Sequence, residues 1–125
     1  MNNLFDVSGK VALITGGSRG IGEMIAEGFV ANGVKTYISA RKADACDATA
    51  VRLSEQGECV SIPADLSSTE GVEALAAEIR NRESRLDILV NNAGATWGAS
   101  IEEFPESGWD QVMDVNVKGP VFLTQ

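Results

Sequence analysis

The chain has 125 residues, of which 44% are hydrophobic and 22% charged, values that suit one globular domain with a buried core. Its formal net charge of −8 argues against nucleic acid or an anionic membrane surface as the partner, because both require a basic face. The absence of histidine excludes a His-based catalytic triad, and the two cysteines show no metal-site spacing, so no metal site is expected.

Four short apolar runs with β-branched residues predict buried parallel strands, at 10–15, 35–40, 59–64 and 86–92. Segments with helical spacing lie between and after them, at about 20–32, 43–56, 68–82 and from Pro105 onward. Strict alternation of strand and helix indicates parallel strands joined by right-handed crossovers. The sequence therefore predicts one α/β domain over 1–125, a Rossmann-type doubly wound parallel sheet.

The first helix shows one apolar face. Ile21, Ile25 and Phe29 recur every four residues, with Met24 and Val30 beside them. We expect this face to cover the sheet.

The last helical pattern, from Pro105 to Gln125, carries Trp109, Val112, Met113 and Val117 on a shared face. Pro120 should kink or interrupt it, because proline cannot donate a backbone hydrogen bond. The sequence stops within this pattern, and a sheet of four strands would leave the apolar run 86–92 at an edge. We therefore expect a sequence truncated after four strands and the start of a long helix.

The stretch "TGGSRGIG", residues 15–22, joins the first strand to the first helix. A glycine turn of this kind directs free N–H groups and the positive end of a helix at an anion such as a diphosphate. Gly16, Gly20 and Gly22 would permit positive φ or a close approach of the ligand. Glycine-rich turns are common, but the strand before and the helix after favour dinucleotide binding over a plain turn.

The end of the second strand bears on the choice of nucleotide. An acidic residue at this position holds a ribose 2′-hydroxyl, whereas an arginine accepts a 2′-phosphate. This chain has Arg41 and Lys42 there, and Arg19 lies in the glycine turn. These cations favour NADP over NAD. The alternative is that Arg41 and Lys42 are only a solvated strand end.

Four features together, "TGGSRGIG", Asp65 after the third strand, "NNAG" at 91–94 and "VMDVNVKG" at 112–119, resemble the classical short-chain dehydrogenase/reductase family over the whole chain. Within that family the glycine turn and the basic strand end are similar to NADPH-dependent 3-oxoacyl reductases. The resemblance implies an oxidoreductase that transfers a hydride between NADP(H) and a carbonyl or hydroxyl substrate.

The resemblance also assigns residues. Asp65 would bind the adenine amino group with the backbone of Leu66 alongside, and Asn91 would tie the central strands together. Asn116 would be the catalytic helix asparagine, which holds a water of the proton relay through its main chain. Asp65 has an alternative role as a helix N-cap, although Ser67 or Ser68 could serve as that cap as well. The implied cofactor-binding residues are Gly16, Ser18, Arg19, Gly20, Ile21, Gly22, Arg41, Asp65, Leu66, Asn92, Ala93 and Gly94.

The catalytic tyrosine, lysine and serine of the family have no counterpart among these residues. The one tyrosine, Tyr37, lies inside the second strand with Arg41 four positions on, so we expect a core residue. The chain alone is therefore expected to be inactive. Trp97 could face a substrate or cap the core, and both readings stay open.

Three functions compete. The first is part of an NADPH-dependent reductase of a small-molecule or carrier-bound acyl ketone, cytoplasmic and a homotetramer or homodimer at full length. The second is a non-catalytic nucleotide-binding module, if 125 residues are the complete product. A Rossmann-like methyltransferase is the third, and "NNAG" and the basic strand end argue against it.

Overall fold

A four-stranded parallel sheet organises the computed structural model, which describes residues 3–125. Met1 and Asn2 of the predicted domain lie outside the described residues. The strands are β1 (Val11–Thr15), β2 (Lys35–Ser39), β3 (Cys59–Ser61) and β4 (Ile88–Val90). The helices are α1 (Gly20–Ala31), α2 (Ala43–Leu53), α3 (Thr69–Arg82), α4 (Glu106–Met113) and α5 (Gly119–Thr124), with a 3₁₀ turn at Ile101–Glu103 and a π-helical segment at Asp114–Lys118.

The order of strands in the sheet is β3-β2-β1-β4, and each neighbouring pair is parallel. Leu13 of β1 is in register with Tyr37 on one side and with Leu89 on the other. The predicted α/β class and parallel sheet are confirmed. β3 and β4 are each only three residues long, so the predicted runs 59–64 and 86–92 include the loops that follow or flank them.

Two apolar clusters cover the two faces of the sheet. Ile14 and Ile38 pack with residues of α1 and α2, whereas Leu13 and Tyr37 pack with residues of α3. Neighbouring residues of one strand thus enter different clusters, because successive side chains point to opposite faces. Helices on both faces make the sheet doubly wound, as predicted.

The predicted core face of α1 is wrong in part. Ile21 and Met24 are about two-thirds exposed, and the buried residues of the helix are Gly22, Ala26 and Val30. Ile25 and Phe29 are half-buried against the core. Small residues face the sheet because they let the helix backbone approach it closely, so side-chain size overrode hydrophobicity in choosing the face.

The last helix is interrupted before Pro120, as expected. The chain changes to π-helical geometry over Asp114–Lys118 and returns to α-helix at Gly119, with the proline in the first turn of α5. Proline has no N–H for the carbonyl four residues earlier, and it is tolerated in a first helical turn. Trp109, Met113 and Val117 remain substantially exposed and Val112 is half-buried, so most of the shared apolar face is not covered by this chain.

A polar network joins β2 to the end of α3. The Tyr37 hydroxyl donates to Glu83 Oε2 at 2.5 Å, and Lys35 Nζ lies 2.7 Å from the same oxygen. Hydrogen bonds from Lys35 and then Tyr37 lower the pKa of Glu83, while burial is the main cause that raises the pKa of Tyr37. Tyr37 is 1% exposed, so the prediction of a core tyrosine is confirmed.

Glu83→Gln tests this network by its pH dependence. A carboxyl whose folded pKa lies below its ordinary value of 4.5 stabilises the fold above that pH and stops doing so as pH falls through the folded pKa. We expect the unsubstituted chain to unfold at a higher temperature than the variant at pH 7, and this difference to shrink as pH falls below about 4. Thermal unfolding followed by circular dichroism over pH 3–8 measures it, and a difference that is constant with pH would contradict the assignment.

Candidate functional site

The residues that follow the four strands meet at one edge of the sheet, because the carboxyl ends of parallel strands lie together. Gly16 follows β1, Arg41 follows β2, Asp65 lies after β3, and Asn92 follows β4. The sequence-predicted binding residues from four separate segments are therefore brought to one edge.

The glycine turn has the backbone geometry predicted for it. Gly16 and Gly20 have φ of +65° and +60°, a region that side chains disfavour. Gly22 has no room for a side chain, since a Cβ there would lie 2.2 Å from the carbonyl oxygen of Gly16 and 2.5 Å from Asn92 Nδ2. A Cβ on Gly20 would meet nothing within 4 Å, so the outer side of the turn is open to a ligand.

Two neighbouring elements hold the turn in place. The N–H of Gly17 donates to the carbonyl of Ser39 at the end of β2, and Thr49 Oγ1 of α2 donates to the carbonyl of Ser18 at 2.9 Å. The predicted binding residues Arg19 and Ile21 are exposed beside them. The turn is thus fixed from its inner side and accessible from its outer side.

Thr15 is a site residue that sequence reasoning missed. Its buried hydroxyl donates to the carbonyl of Val90 at 3.3 Å and accepts from the N–H groups of Asn92 and Ala93, both at 3.0 Å. This one side chain joins the end of β1 to the end of β4. The sequence feature that could have identified Thr15 is its position. It is the last residue of β1 before the glycines, where a hydroxyl can reach the end of the neighbouring strand.

Asn92 turns its side chain toward the glycine turn. Its Nδ2 donates to the carbonyl of Gly16 at 3.1 Å, so the amide braces the loop from within. Asn91 donates to Thr124 Oγ1 at 3.1 Å, which links it to α5 and not to the central strands as the resemblance implied.

Asp65 and Arg41 lie on the side of β2 and β3. Asp65 Oδ1 accepts from the N–H and the hydroxyl of Ser67, and these two bonds lower its pKa, as does the positive charge of Arg41. Ser68, not Asp65, caps α3, since its hydroxyl accepts from the N–H of Gly71 at 3.0 Å. The alternative role of Asp65 as an N-cap is therefore wrong, while Leu66 buries its side chain in the core.

Asn116 lies in the π-helical segment and holds the loop after β4. Its Oδ1 accepts from the N–H of Ala95 at 2.8 Å, and its Nδ2 donates to the carbonyl of Ala95 at 2.9 Å. Gly94 lies against this pair, because a Cβ there would be 3.5 Å from Asn116 Oδ1. Both polar atoms of the amide are thus engaged with the loop.

The hydroxyl of Ser39 is buried without a hydrogen-bond partner at the carboxyl end of β2. Ser39 is two residues from Arg41, at the position where the sequence places the ribose of a nucleotide.

Within residues 3–125, no group of three or more His, Cys, Asp or Glu side chains could hold a metal ion. No helix in the described part of the chain combines the length and apolar character needed to cross a membrane.

Gly22→Ala tests the close packing of the turn. The added methyl group must displace the Gly16 carbonyl or the Asn92 amide, so we expect a loss of about 1–3 kcal/mol in the free energy of unfolding. Gly28→Ala is the matched control in the same helix, because a Cβ there meets nothing within 4 Å and alanine stabilises a helix interior by about 0.5–1 kcal/mol. Urea unfolding compares the two variants, and equal stabilities would refute the packing argument.

Residues 10–125 match the short chain dehydrogenase family. The rhamnolipids biosynthesis 3-oxoacyl-[acyl-carrier-protein] reductase of Pseudomonas aeruginosa is 54% identical over 117 residues, which are 94% of this chain and 46% of that protein. The chain spans about half the length of the curated relatives it matches.

Solved structures agree with this match. The Pseudomonas aeruginosa RhlG/NADP active-site complex superposes with a TM-score of 0.93 at 51% identity, covering 100% of this chain and 49% of that one. The L-sorbose reductase of Gluconobacter frateurii, complexed with NADPH and L-sorbose, has a TM-score of 0.90 at 37% identity over 94% of this chain and 46% of its own. The chain therefore belongs to the short-chain dehydrogenase family.

Proposed function

We propose that this chain is the NADP(H)-binding part of an oxidoreductase that reduces a ketone, a 3-oxoacyl thioester being the substrate class. The observation that carries the proposal is the glycine turn, with positive φ at Gly16 and Gly20 and open space outside Gly20, at the start of a 12-residue helix. Free N–H groups at a helix start bind phosphate groups well. The residues present fit a dinucleotide.

Each part of the cofactor has candidate partners along the carboxyl edge of the sheet. The turn from Gly16 through Ser18 to Gly22 would hold the diphosphate, and Arg41 with Arg19 would pair with the 2′-phosphate. Asp65 and the backbone of Leu66 would bind the adenine, and Ile21 would pack beside the diphosphate. The inner wall would be formed by Asn92, Ala93 and Gly94.

The choice of NADP(H) over NAD(H) depends on charge at the end of β2. Arg41 is exposed there, and the negative charge nearest to it in the chain, Asp44, lies beyond Lys42 in α2. The positive charge of Arg41 is the smallest of the causes that lower the pKa of Asp65, so the two side chains lie on the same part of this edge. An arginine pairs with a phosphate through a rigid fork of donors, so it favours the phosphorylated ribose.

NADPH supplies the hydride when bound, and the proton must come from a protein group. Tyr37 is not that group, because it is buried and its hydroxyl already donates to Glu83. We place the proton donor outside these 125 residues, in keeping with relatives about twice as long. A tyrosine with a lysine four residues on, and a serine at the carbonyl, are the groups that the family resemblance implies.

The backbone between Asn116 and Pro120 supports the proposed role of Asn116 in proton transfer. In an α-helix its carbonyl would accept from the N–H of residue 120, and Pro120 has none. The π-helical segment begins two residues before Asn116, and the side chain is already engaged with Ala95. The main-chain carbonyl of Asn116 therefore lacks its α-helical donor, and it is the group that we propose to hold a water of the relay.

Arg41→Asp tests the assignment of the 2′-phosphate. In the full protein that the gene encodes, we expect the Kd for NADPH to rise roughly 10- to 100-fold while that for NADH changes little, since a hydrogen bond between charged groups is lost only with NADPH. Lys10→Asp makes the same charge change at the opposite edge of the sheet and is the control. Equal losses for both cofactors would refute the role of Arg41.

Turnover decides between the proposed reductase and the alternative module. The full protein is mixed with NADPH and a 3-oxoacyl thioester, and oxidation of NADPH is followed by absorbance. Oxidation that depends on the ketone supports the reductase. Tight binding of NADPH with no oxidation by this or other ketones would favour the non-catalytic nucleotide-binding module.

A further inference from the structure

Trp97 lies on the backbone of α4. A Cβ built on Gly108 would be 2.7 Å from Cγ and Cδ2 of the Trp97 indole, so the ring is in direct contact with the helix at that residue. Gly108 is buried, yet Trp97 keeps 44% of its surface exposed. Part of the indole is therefore seated on the helix and part of it is open.

The Trp97 indole helps to hold a loop that has no regular secondary structure. Residues 91–100 connect β4 to the 3₁₀ turn, and the Asn116 amide holds this loop at Ala95. Trp97, two residues further on, is held by Gly108. Both contacts come from the helical segment that follows the loop, so the loop is fixed at two neighbouring points.

Trp97 does not cap the core. It belongs to neither of the two apolar clusters that cover the sheet, and a fully exposed position would not explain its contact with Gly108.

The position of the loop relates Trp97 to the proposed reaction. The sheet order β3-β2-β1-β4 and the proposed cofactor contacts place the adenine near β2 and β3 and the diphosphate at β1. The reacting end of the cofactor then lies on the β4 side. The loop that leaves β4 is therefore beside the hydride acceptor.

We propose that Trp97, seated on Gly108, is a specificity-determining residue that selects for the length of the acyl chain. It fixes the loop after β4 and offers its open indole surface to the apolar chain of the ketone substrate. The inference depends on the proposed reductase function. Longer acyl chains cover more of the indole, so the contact stabilises their complexes more than those of short ketones.

The test measures kcat and KM of the full protein for a series of 3-oxoacyl thioesters of increasing chain length. For Trp97→Ala we expect the preference for long over short chains, as a ratio of kcat/KM, to fall roughly ten-fold or more, chiefly through KM. Trp97→Phe should retain part of the preference. The Kd for NADPH should stay within about two-fold of the unsubstituted protein, since the hydrogen bonds of Asn92 and Asn116 that hold the cofactor side of the loop do not involve Trp97.

Gly108→Ala provides the second variant, and it keeps the indole. The new methyl group would occupy the place of the ring, so Trp97 must move and the chain-length preference should fall in the same direction. Val51→Ala is the control, an exposed apolar residue on α2. If Trp97→Ala does not fold, Trp97→Phe and Gly108→Ala decide the question.

The outcomes separate the two proposals. An active protein whose chain-length preference is unchanged in the Trp97 and Gly108 variants overturns this inference and leaves the reductase standing. An unsubstituted protein that reduces no ketone overturns the proposed function, and this inference with it. A preference that falls in these variants but not in Val51→Ala supports the specificity role.

Discussion

The fold depends on one close contact, between the start of α1 and the turn that precedes it. Position 22 has no space for even a methyl group, because the Gly16 carbonyl and the Asn92 amide lie where the Cβ would be. This contact fixes the direction of α1 relative to β1 and aligns the first N–H groups of the helix with the open side of the turn. A larger residue would move the helix start and with it the proposed anion site.

Two polar networks lie at opposite ends of the sheet and have different consequences. At the carboxyl edge, the hydroxyl of Thr15 and the amides of Asn92 and Asn116 bond to backbone groups of neighbouring loops. These neutral side chains hold the loops in place without adding negative charge, so phosphate groups can approach the N–H donors. Toward the amino edge, Lys35, Tyr37 and Glu83 form a charged network that secures α3 to β2. A buried tyrosine in such a network stabilises the fold and is withdrawn from chemistry.

The parts of this structure that depend on local pattern could be predicted from the sequence. Alternating strands and helices, the positive φ of the turn glycines and the interruption before Pro120 all follow from properties of single residues and their spacing. The buried face of α1 could not, because hydrophobicity favours Ile21 whereas the residues buried at that end of the helix are Gly22 and Ala26.

Contacts between distant residues carry no local signal. The bond from Thr15 to the end of β4 and the contact of Trp97 with Gly108 join segments whose spacing in the sequence shows no pattern. The assignments of Asp65 and Leu66 to the adenine come from the family resemblance alone. Their geometry is compatible with that role, since the Asp65 carboxylate is exposed and its charged form is favoured by Ser67.

Membership of the short-chain dehydrogenase family is established by residues 10–125. The central claim is that the carboxyl edge of the sheet holds NADP(H) through the glycine turn and Arg41. A crystal structure of the full protein with NADP⁺ bound tests it most directly. The account predicts the diphosphate on the N–H groups of the turn and the 2′-phosphate paired with Arg41. A nucleotide bound elsewhere, or a 2′-phosphate that contacts neither Arg41 nor Arg19, would contradict it.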